Sequence, residues 1–359
     1  MNNYKINSLQ FCSILIMLIV SSFLGTGIIS VIKTCAVDSP ITILITSIIG
    51  ILIILLFLLI FNYEPDLTIF KKTKKLTGNF TGSIINFGLI ALIVIRGIGS
   101  FYNLNSFIVS QFFSDNSKYI IAFLFSLIII FANIKGIETL SRVSLILLGI
   151  NIILIVISHL GLLPFIDYNN FKPMLEHGLS KPLFGSLYVI SHNITPLFLL
   201  LIIPKNNIIR NKSFSKHIIL SYLISMFLIF TVLFFTLGVL GIDLTSNYQY
   251  PSYAVLKNIS LLGFLDRIEN FLTIQWLFGL FISLSIIVYC ISNGIKYNHK
   301  SKLLIIFSTT IIVISSFLFF DNITNFNHFT HHYAFVLQLI FLSIFILMGL
   351  IILIKRKKA

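Results

Sequence analysis

Continuous apolar runs of about twenty residues constrain this chain more than any other feature. Ile41 to Phe61 and Ala334 to Ile354 each pass without a charged residue. At about 1.5 Å per residue, such a run spans the roughly 30 Å hydrocarbon core of a bilayer as one α-helix. A β-barrel would instead show alternating segments of about ten residues. A helix satisfies its own backbone hydrogen bonds in lipid, so these runs predict helices. Only 10% of the 359 residues are charged and 57% are hydrophobic. An ordinary soluble domain carries about 25% charged residues. The chain reads as an all-α polytopic protein with the lipid bilayer as its surroundings.

The predicted spans are 8–32, 40–62, 80–112, 119–134, 143–166, 184–203, 217–241, 269–293, 303–320 and 333–354. The third is long enough to be strongly tilted or interrupted, and the fourth is short. The first exceeds a signal-peptide core and lacks a small-x-small cleavage site, so it reads as a retained helix. No soluble domain is visible, and residues 1–359 form a single integral membrane domain.

The net charge of +14 does not indicate nucleic acid, because the cations are scattered over short loops. They set orientation instead. One side collects Lys5, Lys71, Lys72, Lys74, Lys75, Lys135, Arg142, Lys205, Arg210, Lys212, Lys216, Lys296, Lys300, Lys302 and the terminal Lys355 to Lys358 cluster. The other has only Lys33, Lys118, Lys172, Lys181, Lys257 and Arg267. Both termini are therefore expected in the cytoplasm.

Two predicted spans carry helix-weakening sequences at matching positions. The first contains Ser21-Ser22-Phe23-Leu24-Gly25-Thr26-Gly27, and the sixth contains Ser191-His192-Asn193-Ile194-Thr195-Pro196. Proline removes a backbone donor and clashes with the preceding turn. Five spans separate the two breaks, and an odd-numbered repeat inverts the second half. That pattern points to a LeuT-like core of 5+5 inverted repeats, about 8–166 and 184–354, with broken helices 1 and 6 and a ligand site near the midplane. The bland alternatives are close helix packing at glycine and an ordinary proline kink. The ligand candidates at the breaks are Gly25, Thr26, Gly27, His192, Asn193 and Thr195.

Arg96 lies near the middle of the third span, where a cation costs roughly 2.5–3.5 kcal/mol on insertion scales. It should face a polar cavity or a partner, and a ligand carboxylate would suit it. Tyr102, Asn103 and Asn105 follow and could line the same path. Trp276, the only tryptophan, either anchors the outer interface or walls a pocket. Glu138 and Arg142 are spaced for a local i, i+4 ion pair. Acidic groups among Asp266, Arg267 and Glu269 suit the start of the eighth span. His328, His331 and His332 fall in a predicted outer loop without a metal-ligand framework. Cys12, Cys35 and Cys290 have no metal or redox spacing. With no Ser-His-Asp set, phosphate loop or paired carboxylates, neither enzyme activity nor a cofactor is expected.

Along nearly its whole length the chain resembles the B subunit of spore-germination nutrient receptors, a branch of the amino acid–polyamine–organocation superfamily. The resemblance rests on Ile6-Asn7-Ser8-Leu9-Gln10 leading to Gly25-Thr26-Gly27, then Asp38, Pro65, Leu67-Thr68 and Leu76-Thr77-Gly78. Lys135-Gly136-Ile137-Glu138 with Arg142, Pro173, Gly178 and Pro204 continue it. Tyr250-Pro251, Arg267-Ile268-Glu269 and Trp276 form its most specific stretch. Where acidic residues are expected in the sixth-span break, this chain has His192-Asn193. The resemblance implies a membrane subunit of the spore inner membrane. It would bind a small nutrient, an amino acid, and act with companion A and C subunits to trigger germination. A proton- or ion-coupled amino acid transporter uses the same fold and is the alternative. The absence of a mid-membrane carboxylate favours the receptor.

Overall fold

The computed structural model describes residues 5–113, 117–176, 178–209, 213–257, 269–295 and 302–358. Arg210, Lys212, Lys296, Lys300, Asp266, Arg267 and Ile268 lie outside them. Among the described residues nearly everything is helical, and nine helices are long and apolar enough to cross a membrane. The chain is thus an all-α polytopic membrane protein.

The first span is α1 (Ser8–Ser22), a π-turn (Phe23–Gly27) and α2 (Ile28–Cys35). The turn leaves α1 too short to cross alone, while α2 runs through a 3-10 turn into α3 (Ser39–Asn62). A short α4 (Ile69–Thr77) precedes α5 (Asn79–Phe112), α6 (Lys118–Lys135) and α7 (Ile137–Leu162). The sixth segment is α8 (Ser180–Val189), a π-turn (Ile190–Ile194) and a 3-10 helix (Thr195–Ile202). Then come α9 (Phe214–Asn247), short α10 (Pro251–Lys257), α11 (Glu269–Ile295) and α12 (Lys302–Phe319). The last segment is α13 (Ile323–His328), a third π-stretch (Phe329–Ala334) and α14 (Phe335–Lys358).

Burial separates a central layer from a lipid-facing one. The apolar window of the sixth segment is 94% buried, against 22% for those of α6 and α7. Phe80, Phe87, Phe123 and Phe131 point outward, as lipid permits. Phe11, Ile14, Leu15, Leu18 and Ile19 of α1 are fully enclosed. The two central segments are tied at one end by a parallel pair of two-residue strands, β1 (Ile6–Asn7) and β2 (Ile208–Ile209), with Ile6 opposite Ile208. Asn7 and Gln10 close a capping box on α1, with the Asn7 amide donating to Gln10 Oε1 at 2.9 Å. Two unpaired helix donors are satisfied by residues next to the strand pair.

At the same end α4 lies across the end of α3. Lys72 is buried and donates to the carbonyls of Ile60 (2.8 Å) and Phe61 (3.1 Å). These unpaired carbonyls form the negative end of the α3 dipole. Burial, reinforced by nearby Lys205, pushes the Lys72 ammonium down to about 7.

Several boundaries differ from expectation. The third span is one uninterrupted helix. The fifth begins at Ile137 rather than 143, because Gly136 alone, at φ 92°, makes the turn from α6. The Glu138–Arg142 pair forms inside α7 at 2.5 Å. The seventh helix bends at Gly241 (φ 70°), the predicted end of that span. The tenth segment begins at Ile323, ten residues early, so His328, His331 and His332 sit on helical turns rather than in a loop.

Candidate functional site

The π-turns place one extra residue in each central helix, and backbone groups there lose their ordinary partners. In the first turn the Ile28 amide bonds to the Phe23 carbonyl. The Ser21 carbonyl accepts from Trp276 Nε1 at 3.0 Å. Gly279, one turn along α11, brings that helix against Ser21: a Cβ there would lie 2.5 Å from the Ser21 Cβ. Trp276 is buried and makes edge contacts with Phe107 at 4.5 Å. It braces the first break from behind, and is neither an interface anchor nor a wall of the cavity described next.

In the second turn the backbone is loosened differently. Pro196 brings no amide, and Thr195 Oγ1 donates to the Ser191 carbonyl, which leaves the following residues in a 3-10 path. Thr195 Oγ1 also lies 3.2 Å from Gln338 Oε1 of α14. The two breaks touch each other. A Cβ on Gly27 would lie 3.2 Å from both terminal atoms of the Asn193 side chain and 3.1 Å from the Ser22 carbonyl.

Between the breaks and α5 lies a cavity of about 80 Å³. Ser21 and Ser22 line it from the first segment, and His192 from the sixth. Arg96 and Asn103 come from α5, Ser283 from α11, and Phe326, Thr330 and Gln338 from the last segment. That exceeds the roughly 10–15 Å³ needed to hold one water, so the cavity admits small polar groups.

Arg96 dominates the electrostatics. Its Nη2 donates to Ser22 Oγ at 2.9 Å and to the His192 carbonyl at 3.1 Å, so the guanidinium bridges both breaks. Its Nε has no acceptor, and it makes no ion pair, among the described residues. Asn103 Oδ1 and His192 Nε2 are likewise buried without a hydrogen-bond partner there. The Ser191 hydroxyl lies 3.0 Å from His192 Nδ1 and holds the ring in place. A half-buried cation without a counter-charge among the described residues, facing unpaired polar atoms across a small cavity, is an arrangement that fits a small carboxylate-bearing ligand. Among the described residues no cluster of three or more metal-ligating side chains occurs.

Of the candidates named from sequence, Arg96 and His192 lie on the cavity wall, and Gly27, Asn193 and Thr195 form the contacts just behind it. Gly25 and Thr26 belong to the first π-turn, but their side-chain surroundings lie outside the described residues. Tyr102 sits away from the cavity, 5.0 Å from the rings of Phe320 and Phe326. Asn105 is buried elsewhere on α5. Ser22, Ser283, Thr330 and Gln338 were not singled out. Gln338, a polar residue inside an otherwise apolar run, was the one detectable signal among them.

Residues 5–324 match the family described as "Spore germination protein". Among curated proteins, the chain is 25% identical to spore germination protein A2 of Bacillus subtilis (strain 168), covering 98% of this chain and 97% of that one. It is 28% identical to spore germination protein KB of the same organism over 61% of this chain and 58% of the relative. It is also 21% identical to spore germination protein XB of Bacillus anthracis, covering 73% of each.

Proposed function

The chain belongs to the spore germination protein family, and we propose that it is the nutrient-binding membrane subunit of a germinant receptor. The observation that carries this reading is Arg96, a half-buried cation with no ion pair among the described residues, set across a cavity of about 80 Å³. A guanidinium takes a carboxylate through two parallel hydrogen bonds. Asn103 Oδ1 supplies an acceptor for an ammonium. A small amino acid carries both groups.

The two interrupted segments, first and sixth, correspond under a 5+5 inverted repeat, and the ligand would sit where they meet. In this reading the nutrient shifts an equilibrium between two states by its differential affinity, and companion A and C subunits relay the shift. The protein would sit in the spore inner membrane with both termini in the cytoplasm, in line with the excess of cations on that side. It binds rather than catalyses.

A carrier would need a group that couples transport to an ion gradient, and no carboxylate lines the cavity among the described residues. Deleting the gene is expected to abolish germination to a specific nutrient while vegetative uptake of that nutrient stays normal. The purified protein in liposomes should bind the nutrient without concentrating it under a proton or sodium gradient. Gradient-driven accumulation, with germination intact in the deletion strain, would replace the receptor with an ion-coupled amino acid transporter.

A further inference from the structure

A second and larger cleft, about 320 Å³, opens between α2 and the α13–π segment. Thr330 lines both this cleft and the Arg96 cavity, so the two spaces share one wall. Lys33 faces it from α2, and His328, His331 and His332 from the opposite segment. The three imidazoles crowd together, with ring centroids 4.7 Å apart for His328 and His332 and 5.0 Å for His331 and His332. Tyr188 of α8 stacks on His331 at 5.3 Å and limits its tilt. Asn327, on the same wall, is held by paired hydrogen bonds of 2.7 and 3.1 Å with Gln249. The histidine-bearing segment is therefore positioned from two sides.

Among the described residues, the charges that act on His331 are all of one sign: it lies in the field of His332, Lys33 and His328. Lys33 makes no ion pair among the described residues. The other titratable neighbours in ring contact are the phenols Tyr188 and Tyr333, with Tyr333 5.9 Å from His328. Asp321, the nearest acidic residue on the segment, is exposed. A concave space with low-dielectric walls and one sign of charge concentrates counter-ions.

We propose that this cleft is an anion-gathering antechamber, which draws a small carboxylate toward Arg96 and does so more strongly as its histidines become protonated. The destination rests on the carboxylate reading of the inner cavity; the antechamber's own field does not. Histidine changes charge near pH 6.5, so the effect grows as the medium passes from about pH 8 to about pH 5.5.

The test reads the local field directly. Thr324, exposed on the rim of the cleft, is replaced by cysteine in the full chain held in nanodiscs. The native Cys12, Cys35 and Cys290 are buried, and the parent protein supplies the background. Modification rates are compared for the anionic sulfonatoethyl and the cationic trimethylammonioethyl methanethiosulfonates. The same thiolate attacks both reagents, forming a mixed disulfide and releasing methanesulfinate, so thiol ionisation cancels in their ratio. The anionic preference should rise on the order of 10-fold on acidification and vanish at high salt. It should be lost in H328Q/H331Q/H332Q and reduced in Lys33→Gln. Acetate should protect the cysteine at acidic pH, and the protection should be lost in the triple histidine variant.

A ratio that ignores pH, or one that survives the triple histidine variant, overturns the antechamber. Absence of protection by acetate overturns its assignment to carboxylates. Arg96→Leu should leave the ratio unchanged, and a ratio that collapses with Arg96→Leu would place the field in the inner cavity. If Arg96→Leu instead keeps a normal nutrient response, the inner-site reading fails while the field measurement stands on its own.

Discussion

The two interrupted segments solve one problem by opposite means. In the first, small residues open the helix: Gly27 leaves room, the π-turn passes, and α2 resumes as a regular helix. In the sixth, Thr195 and Pro196 open it, and the chain continues as eight residues of 3-10 helix instead of returning to α. The first break thus contributes space and the Ser22 hydroxyl, while the sixth contributes the His192 carbonyl and the His192 and Asn193 side chains. They interlock where Asn193 occupies the room that Gly27 leaves. Neither half makes a site alone. Arg96 joins them by donating to Ser22 on one side and the His192 carbonyl on the other.

The sharpest way to break this division is to put a side chain where the first segment supplies space. Gly27→Leu must displace either the Ser22 carbonyl or Asn193, at 3.1 and 3.2 Å from the new Cβ. Overpacking of this kind costs about 1–3 kcal/mol, and here the strain falls on the ligand cavity. The expected outcome is no germination response to nutrient, with normal protein level in the membrane. Gly27→Ala should be milder and partly rescued by Asn193→Ser, because the two positions share one volume. An unaltered response in Gly27→Leu would mean that the glycine only packs helices.

The next effect concerns the joint between the two breaks. Arg96→Lys keeps the charge but loses the planar fork that spans Ser22 and His192. We expect the nutrient concentration for half-maximal germination to rise about 10-fold or more, as for a lost charge-assisted hydrogen bond of roughly 1.5–3 kcal/mol. Arg96→Leu should give no response at any nutrient level. A leucine variant that responds normally and accumulates to higher levels would make the arginine a structural cost without a ligand role.

How far the sequence reveals this arrangement depends on the scale of the signal. Ten apolar runs predict ten segments, because twenty consecutive apolar residues have few alternatives in water or lipid. The breaks are legible from Gly25-Thr26-Gly27 and Thr195-Pro196, since both patterns act on the backbone locally. The start of the last segment was not legible. Phe326, Asn327 and His328 read as polar loop, yet their helix is held by the Asn322 cap and by Gln249 from a distant connection. For the same reason Thr330 and Gln338 escaped notice as wall residues, because only tertiary packing turns them toward Arg96. Tyr102 shows the converse. Its spacing from Arg96 on one helix is nearly two turns, but Phe326 stands between it and the cavity. The Arg267-Ile268 part of the family pattern falls outside the described residues.

The smallest predicted effect isolates the first break from the sixth. Trp276 reaches the first break through its Nε1 bond to the Ser21 carbonyl, and its ring packs on Phe107 of α5 and on Tyr250. Trp276→Phe keeps an aromatic ring against Phe107 but leaves that carbonyl without its donor. A net hydrogen bond of about 1 kcal/mol corresponds to about a 5-fold change in an equilibrium. The turn should loosen by that amount, while Arg96 and the sixth-segment side chains stay in place. We therefore expect about a 5-fold shift in the nutrient concentration for half-maximal germination, with the maximal rate retained. The shift should add independently to that of a Thr195→Val change, which acts on the other break. Strong coupling between the two substitutions would show that the breaks move as one unit, and the division of labour between them would have to be abandoned.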